Sequence, residues 1–222
     1  MEEKKLYPIN YLGKTYNTTI HADMTDEEFL SIKENYYKKP PFEEVKEQLK
    51  KIANGGMKTN KIVGYYLKDL MARVRIHYNN WTIAEALEYK PLLEFFKGKT
   101  LVNEKVFPKD RPLWKNIEDA FRLCGFKTCS RPTNFPIKTA DEILRKYNIN
   151  GNYYDFSCGW GIRLLSSLRN GINYYGTDTN DVLVERLNAI SDTFREVMGD
   201  CPTSDIRCAR SQDFVEEWEG KM

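Results

Sequence analysis

The chain has 222 residues, of which 41% are hydrophobic and 30% charged, so it is long enough for one large domain or two small domains with buried cores. Its 34 basic and 32 acidic side chains nearly cancel, and the net charge of +2 argues against a polycationic binding protein. The sequence contains no signal-peptide pattern and no apolar run of about 18 residues, so we expect a cytoplasmic protein that does not span a membrane.

The N-terminal part of the chain is predicted to be mostly helical. Residues 6–20 are rich in β-forming side chains around Gly13 and predict a small hairpin. Thr25 and Glu28 have the spacing of a capping box and mark the start of a helix, which Pro40-Pro41 ends. Further helices are predicted over residues 42–53, 60–77, 82–97 and 112–124 from apolar residues at helical spacing. These elements predict an N-terminal domain over residues 1–129.

The middle of the chain is basic, because residues 51–130 hold 15 basic and 8 acidic side chains. Lys61, Lys68 and Arg75 recur every seven residues, so they would share one face of a helix over 60–77. Such a face could follow the phosphate backbone of DNA. A solvated helix surface is the alternative.

From about residue 148 the pattern changes to short apolar runs that alternate with amphipathic helices, which is typical of a parallel α/β sheet. Strands are predicted over 152–156, 172–177 and 206–209. Helices are predicted over 140–147, 160–169 and 182–197. The sequence therefore predicts a second domain over residues 130–222.

Acidic residues and glycines occur where these strands end. The segment from Asp155 to Gly161 joins the first strand to a helix, where glycines let the backbone approach a ligand. Asp178 ends the second strand and could accept hydrogen bonds from both hydroxyls of a ribose. After the third strand, Asp213 could accept from an adenine amino group while Phe214 lies on the ring. The alternatives are a tight turn, a helix cap at Asp155 and a solvated loop at Asp213.

The segment from Asp155 to Gly161 resembles the first motif of class I methyltransferases that use S-adenosylmethionine (SAM). Continued through Asp178 and Thr179, it resembles the variant found in DNA amino-methyltransferases, many of them from phages and mobile elements. The resemblance covers roughly residues 130–222 and implies an incomplete Rossmann-like domain that binds SAM.

The resemblance also implies which residues hold the cofactor. The segment Ser130 to Pro136 is similar to the family's motif before the first strand, whose Phe135-Pro136 element would close over SAM. The turn would wrap the methionine part, Asp178 would hold the ribose, and the acid and aromatic after the third strand would hold the adenine. The residues implied to bind SAM are Phe135, Pro136, Asp155, Ser157, Cys158, Gly159, Gly161, Asp178, Thr179, Asp213 and Phe214.

The family's catalytic motif, Asp/Asn/Ser-Pro-Pro-aromatic, does not occur in the chain. In the usual order it would follow Met222, so we expect this chain to be the cofactor-binding portion, inactive alone and completed by a C-terminal segment or a second chain. A circularly permuted family member could instead use Lys39-Pro40-Pro41-Phe42. Lys39 is a donor where an acceptor is needed, so a proline stop between two helices is favoured.

The expected reaction of the complete protein is methyl transfer from SAM to an exocyclic amino group of adenine or cytosine in DNA. RNA or a small molecule could be the acceptor instead, and a non-catalytic DNA- or protein-binding module with a degenerate SAM fold is a further alternative. The five cysteines form no CxxC pair and there are two histidines, so we expect reduced thiols and no metal site. Cys158 is expected to pack rather than act as a nucleophile.

Overall fold

The computed structural model describes residues 6–11, 14–76, 81–123, 132–213 and 218–220. Within these ranges the protein is mixed α/β, as predicted, with ten helices, an antiparallel hairpin and a three-stranded parallel sheet. No helix in the described part of the chain combines the length and apolarity needed to cross a membrane. The chain divides into two compact units, one of residues 1–38 with 69–132 and one of residues 39–68 with 133–222.

The elements of the described residues are numbered in chain order. The strands are β1 (Tyr7–Tyr11), β2 (Lys14–Thr18), β3 (Asn152–Asp155), β4 (Asn173–Asp178) and β5 (Ser204–Cys208). The helices are α1 (Asp26–Tyr37), α2 (Phe42–Ala53), α3 (Asn60–Tyr66), α4 (Lys68–Arg73), α5 (Ile83–Glu88), α6 (Lys90–Leu101), α7 (Leu113–Leu123), α8 (Ile137–Lys146), α9 (Ile162–Arg169) and α10 (Asp181–Met198).

The first unit consists of the hairpin and a helical core. Strands β1 and β2 pair antiparallel, as the sequence predicts. The capping box at the start of α1 is also confirmed, because the Thr25 side chain accepts from the Glu28 amide and the Glu28 carboxylate accepts from the Thr25 amide. Helix α7 packs against α1 and α6, and Phe96 and Phe121 meet edge to face in the buried cluster between them.

Two predicted helices are each divided in the structure. The helix predicted over 60–77 breaks at Leu67, where the carbonyl of Tyr66 accepts from Arg186 Nη1 at 3.0 Å and the Tyr66 hydroxyl lies 2.6 Å from Thr193 Oγ1. The helix predicted over 82–97 breaks at Tyr89, ahead of Pro91, which has no amide hydrogen and disfavours helical backbone before it.

The second unit contains the parallel sheet in the order β3-β4-β5, with α9 and α10 joining successive strands. Tyr174 and Tyr175 are adjacent in β4 and therefore point to opposite faces of the sheet. On the Tyr175 face, the ring of Trp218 lies 5.5 Å from the ring of Tyr175 and 5.9 Å from that of Tyr154. The rings of Tyr175 and Trp218 are buried, and their packing holds in place the strands that carry the candidate site.

Helix α2 belongs to the second unit, whereas the sequence placed it in a domain of residues 1–129. Its buried side chains Val45, Leu49 and Ile52 form one apolar face, and α2 packs against α9 and α10. Arg169, at the end of α9, donates to the carbonyl of Gly56 at 2.7 Å. The grouping of residues 39–68 with the sheet thus follows from contacts between segments about a hundred residues apart in the chain.

Candidate functional site

The turn between β3 and α9 is built by two glycines with left-handed backbone. Gly159 has φ +54° and Gly161 has φ +75°, conformations that other residues adopt only at a cost. The amide of Cys158 donates to the carbonyl of Thr177 at 3.1 Å, which ties the turn to β4 one residue before Asp178. The turn therefore lies at the carboxyl ends of two neighbouring parallel strands.

Asp155 organises this turn from inside. Its buried carboxylate accepts from Arg163 Nε at 2.7 Å and Nη2 at 3.1 Å, from the Tyr174 hydroxyl at 2.7 Å and from the Ser157 amide at 3.3 Å. Hydrogen bonding to Asp155 raises the pKa of the Arg163 guanidinium, and burial raises the pKa of the Tyr174 hydroxyl well above its usual value. Four donors fill the four acceptor positions of the carboxylate, so Asp155 shapes the turn and leaves ligand contact to its neighbours.

A cavity of about 320 Å³ lies beside the turn. It is lined by Thr133, Asn134, Phe135, Pro136, Cys158, Gly159, Trp160, Ile162 and Arg163. The structure thus brings together Phe135 and Pro136 with Cys158 and Gly159, which the sequence had assigned to one site. The volume is at the small end of the range of about 300–1,000 Å³ for ligand pockets, which suits one part of a ligand.

Asp178 and Thr179 follow β4 at the same edge of the sheet but do not line this cavity. Asp178 is partly buried, and its Oδ1 accepts from the amide of Asn180 at 3.1 Å. Thr179 is exposed. Within the described part of the chain this amide is the donor to the Asp178 carboxylate, so the remaining acceptor positions are suited to hydroxyl groups of a ligand.

Asp213 is not brought to the cavity. It lies five residues after the end of β5, where its carboxylate accepts from Arg210 Nε at 3.2 Å and Nη2 at 3.1 Å. These hydrogen bonds lower the pKa of Asp213. The Asp213 carboxylate thus takes part in a local ion pair at the surface, and its contact with an adenine amino group stays a prediction. Phe214, Ser130 and Arg131 lie outside the described residues.

Five lining residues were not among the predicted SAM-binding residues, namely Thr133, Asn134, Trp160, Ile162 and Arg163. Arg163 lies in the first turn of α9, eight residues after Asp155, and the guanidinium is 6.0 Å from the centre of the Phe135 ring. An acid at a strand end followed by an arginine in the next helix was the available signal. Asn134 Oδ1 is buried and has no hydrogen-bond partner among the residues that the structure describes, which only the folded arrangement reveals.

The three candidates for DNA contact do not share a helix face. Lys61 is in α3 and forms an ion pair with Glu44, Lys68 begins α4, and Arg75 lies beyond the end of α4 and forms an ion pair with Glu85. A common face required one uninterrupted helix over 60–77, and the break at Leu67 removes it. Lys61 lines a separate groove of about 980 Å³ in which Lys50, Lys51 and Lys58 accompany Glu44 and Glu47.

The segment Lys39-Pro40-Pro41-Phe42 connects α1 to α2, which begins at Phe42. The Phe42 ring lies 5.3 Å from the ring of Tyr65, and Lys39 Nζ lies 5.0 Å from the same ring. The side chains at both ends of the Pro-Pro pair thus pack on one tyrosine. This arrangement matches the proline stop favoured by the sequence.

Cys158 is a packing residue within the turn. Its side chain is 1% exposed, and burial raises the pKa of its thiol to about 12. A Cβ atom at Gly176 would lie 2.5 Å from its sulfur, so the two residues fit closely. The thiol is protonated at neutral pH and is not suited to act as a nucleophile.

We expect iodoacetamide at pH 8 to leave Cys158 unmodified in the folded protein while it alkylates the exposed Cys208. With a pKa of about 12, only about one in 10⁴ Cys158 side chains is a thiolate at this pH. Mass spectrometry of the two cysteine-containing peptides measures the difference, and both should react in denaturant. Equal labelling of both thiols in the folded protein would contradict the buried position of Cys158.

Comparison of the chain with protein-family models, with curated proteins and with solved structures finds no match. Function must therefore be argued from the residues of the site and from the resemblance of its motifs.

Proposed function

We propose that the unit with the parallel sheet binds SAM at the carboxyl ends of β3 and β4, and that the protein is a SAM-dependent methyltransferase with a Rossmann-like domain. The observation that carries this proposal is the glycine turn, whose Cys158 amide is bonded to β4 just before Asp178 and which borders the cavity of Phe135 and Pro136. A glycine turn that borders a cavity and the partly buried carboxylate of Asp178 thus occur at one sheet edge.

The arrangement of the sheet supports this proposal. Three parallel strands in sequence order, joined by α9 and α10, correspond to one half of a doubly wound nucleotide-binding fold. Ligands of such sheets bind beyond the carboxyl ends of the strands, where side chains from successive strands converge. The segment from Asp155 to Gly161 and Asp178 occupy this edge.

The residues present fit SAM in three respects. Gly159 keeps the backbone open beside the cavity, the half-exposed Phe135 offers an apolar face, and the partly buried Asp178 offers acceptors for ribose hydroxyls. Bound SAM supplies a methyl group activated by a positively charged sulfur. The chain's own residues bind and orient the cofactor, and Asp213, paired with Arg210, is given no part in this.

The proposed acceptor is an exocyclic amino group of adenine or cytosine in DNA, as the motif resemblance implies. The sequence has one Pro-Pro pair, preceded by Lys39, and no Asp/Asn/Ser-Pro-Pro-aromatic tetrad, so the step at the acceptor is assigned to no residue. Incubation with SAM labelled in its methyl group and with DNA or RNA tests the acceptor. Label in DNA supports the proposal, whereas label in RNA alone would replace DNA as the acceptor.

Asp178→Ala is expected to weaken SAM binding by about 1–3 kcal/mol, because a carboxylate that accepts from ribose hydroxyls is lost. The fold should lose less, since Asp178 is at a strand end and makes one hydrogen bond to a backbone amide. Calorimetric titration measures the affinity.

The matched control for this variant is Asp181→Ala, which removes an exposed carboxylate three residues further along. Its SAM affinity should equal that of the wild type. If Asp178→Ala also binds SAM with wild-type affinity, Asp178 does not hold the ribose. If the wild type binds no SAM, the proposed function fails.

A further inference from the structure

The groove of about 980 Å³ in the second unit has more cations than its acidic side chains can pair. It is formed by the end of α2, the loop after it and the start of α3, and its charged lining residues are Glu44, Glu47, Lys50, Lys51, Lys58 and Lys61. Each carboxylate faces one lysine, since Glu44 pairs with Lys61 and Glu47 lies 4.0 Å from Lys51 Nζ. Among the described residues the other two lysines form no ion pair, so the groove has two positive charges in excess.

The backbone that carries these lysines is held on both sides of the loop. Gln48 Oε1 accepts from the amide of Lys61 at 2.7 Å and from that of Ile62 at 3.1 Å, which ties α2 to the start of α3. Arg169 donates to the carbonyl of Gly56 at 2.7 Å, which ties the loop to α9. The groove is therefore formed before any ligand binds, and less ordering has to be paid on binding.

The end of α2 does not require the ammonium group of Lys50. Lysines in the last turn of a helix can donate to its free carbonyl groups. Here the Lys50 carbonyl accepts from the Asn54 amide at 3.2 Å and from Asn54 Nδ2 at 2.8 Å. The Lys51 carbonyl accepts from the Gly56 amide at 2.7 Å. The ammonium group of Lys50 is therefore available to a ligand in the groove.

Helix α9 connects the groove to the cavity beside the glycine turn. Its first residues, Ile162 and Arg163, line the cavity, and its last residue, Arg169, bonds to Gly56 in the wall of the groove. The eight residues of α9 span about 12 Å. Each strand of a DNA duplex has a phosphate about every 3.4 Å along the axis, so this distance corresponds to about four base pairs. A short duplex is therefore long enough to contact the groove while its reacting base lies at the cavity.

We propose that the groove binds the phosphate backbone of DNA through Lys50 and Lys58. The proposal rests on the proposed function, from which it takes DNA as the acceptor. A lysine neutralises a phosphate as a point charge and reads no base, so this contact is independent of sequence. An acidic segment of another protein is the alternative polyanion. The connection to the cavity through α9 favours the DNA, because the acceptor has to reach that cavity.

Fluorescence anisotropy with a short labelled DNA duplex, titrated with the full chain at several salt concentrations, tests this proposal. We expect Lys50→Gln combined with Lys58→Gln to weaken binding about tenfold or more at about 0.1 M salt. The slope of log affinity against log salt should become shallower by about 1.8, because each lost phosphate contact contributes about 0.9. The unfolding midpoint and the affinity for SAM should stay at the wild-type values.

The matched control is Lys105→Gln combined with Lys146→Gln. Both lysines are exposed, lie outside the groove and form no ion pair among the described residues, so the change in net charge is the same. This variant should bind the duplex within about threefold of the wild type, since charges more than about 10 Å apart are largely screened at 0.1 M salt. Equal losses in the two double variants would show that net charge attracts the DNA and would overturn the assignment to the groove.

The remaining outcomes separate this proposal from the proposed function. If poly-L-glutamate displaces the labelled duplex as well as unlabelled DNA does, the groove is a site for acidic proteins. Tighter binding of single-stranded RNA, lost in the Lys50 and Lys58 variant, would replace DNA by RNA as the ligand. If the wild type binds SAM but no duplex, the groove proposal alone fails. If it binds no SAM while Lys50 and Lys58 still control binding of the duplex, the proposed function fails and the groove remains a DNA-binding surface.

Discussion

Replacing Arg169 by leucine is expected to lower the free energy of unfolding of the sheet-containing unit by about 3–5 kcal/mol, because it leaves a buried carboxylate without its cation. The Arg169 side chain is 5% exposed and pairs with Asp141, which is 9% exposed. Asp141 also accepts from the Ser166 hydroxyl at 2.6 Å, and Arg169 donates to the Gly56 carbonyl. The variant therefore also leaves a backbone carbonyl unpaired.

Hydrogen exchange of the β4 amides measures this loss within the unit concerned. The matched control is Arg195→Leu, which removes an exposed ion pair with Asp192 and should cost at most about 1 kcal/mol. Arg169→Leu combined with Asp141→Asn should recover part of the stability, since the uncompensated charge is gone. Equal losses in Arg169→Leu and Arg195→Leu would show that water reaches the Arg169–Asp141 pair.

Local signals predicted much of the fold. The alternation of short strands and amphipathic helices over residues 152–208 predicted the parallel sheet, because parallel strands need a helical crossover between them. The spacing of Thr25 and Glu28 gave the start of α1, since a capping box involves only neighbouring residues. The capping box depends on interactions within a few residues, and the strand and helix pattern depends on the spacing of apolar residues within each element.

The differences arise from contacts between distant segments. The break at Leu67 coincides with the hydrogen bond from Arg186, about 120 residues away, to the Tyr66 carbonyl, a contact that the sequence could not indicate. The place of α2 in the second unit depends on contacts with α9 and α10 and on Arg169 reaching Gly56. The helix predicted over 82–97 is a different case. Pro91 is a local signal for a break, but the prediction followed the helical spacing of the apolar residues instead.

The site shows the same division. The glycine turn and the Phe135-Pro136 element lie together at one cavity, since the motif positions them near the end of β3. The hydrogen-bond partners of the acidic side chains could not be predicted from the sequence, because they depend on side-chain rotamers in the folded protein. Asp155 is occupied by Arg163 and Tyr174, and Asp213 by Arg210. An acidic residue at a strand end therefore predicts ligand contact less well than a glycine turn does.

The turn itself is tested by Gly161→Ala, which we expect to lower the free energy of unfolding of the second unit by about 2–5 kcal/mol. Gly161 has φ +75°, and left-handed backbone costs a residue with a Cβ about 1–2 kcal/mol. The added Cβ would also lie 2.6 Å from Leu187 Cδ2. Leu187 is fully buried in α10, so it cannot move aside without disturbing packed neighbours, which costs about 1–3 kcal/mol more.

Gly171→Ala separates the two contributions, because Gly171 has φ +77° and open space where its Cβ would be. It should lose only the backbone cost of about 1–2 kcal/mol, and the difference between the variants measures the contact with Leu187. Hydrogen exchange of the β3 and β4 amides gives both values. Because the turn borders the cavity, Gly161→Ala should also weaken SAM binding, whereas Gly171→Ala should not. Equal losses of stability in the two variants would mean that Leu187 yields without cost and that α10 does not hold the turn in place.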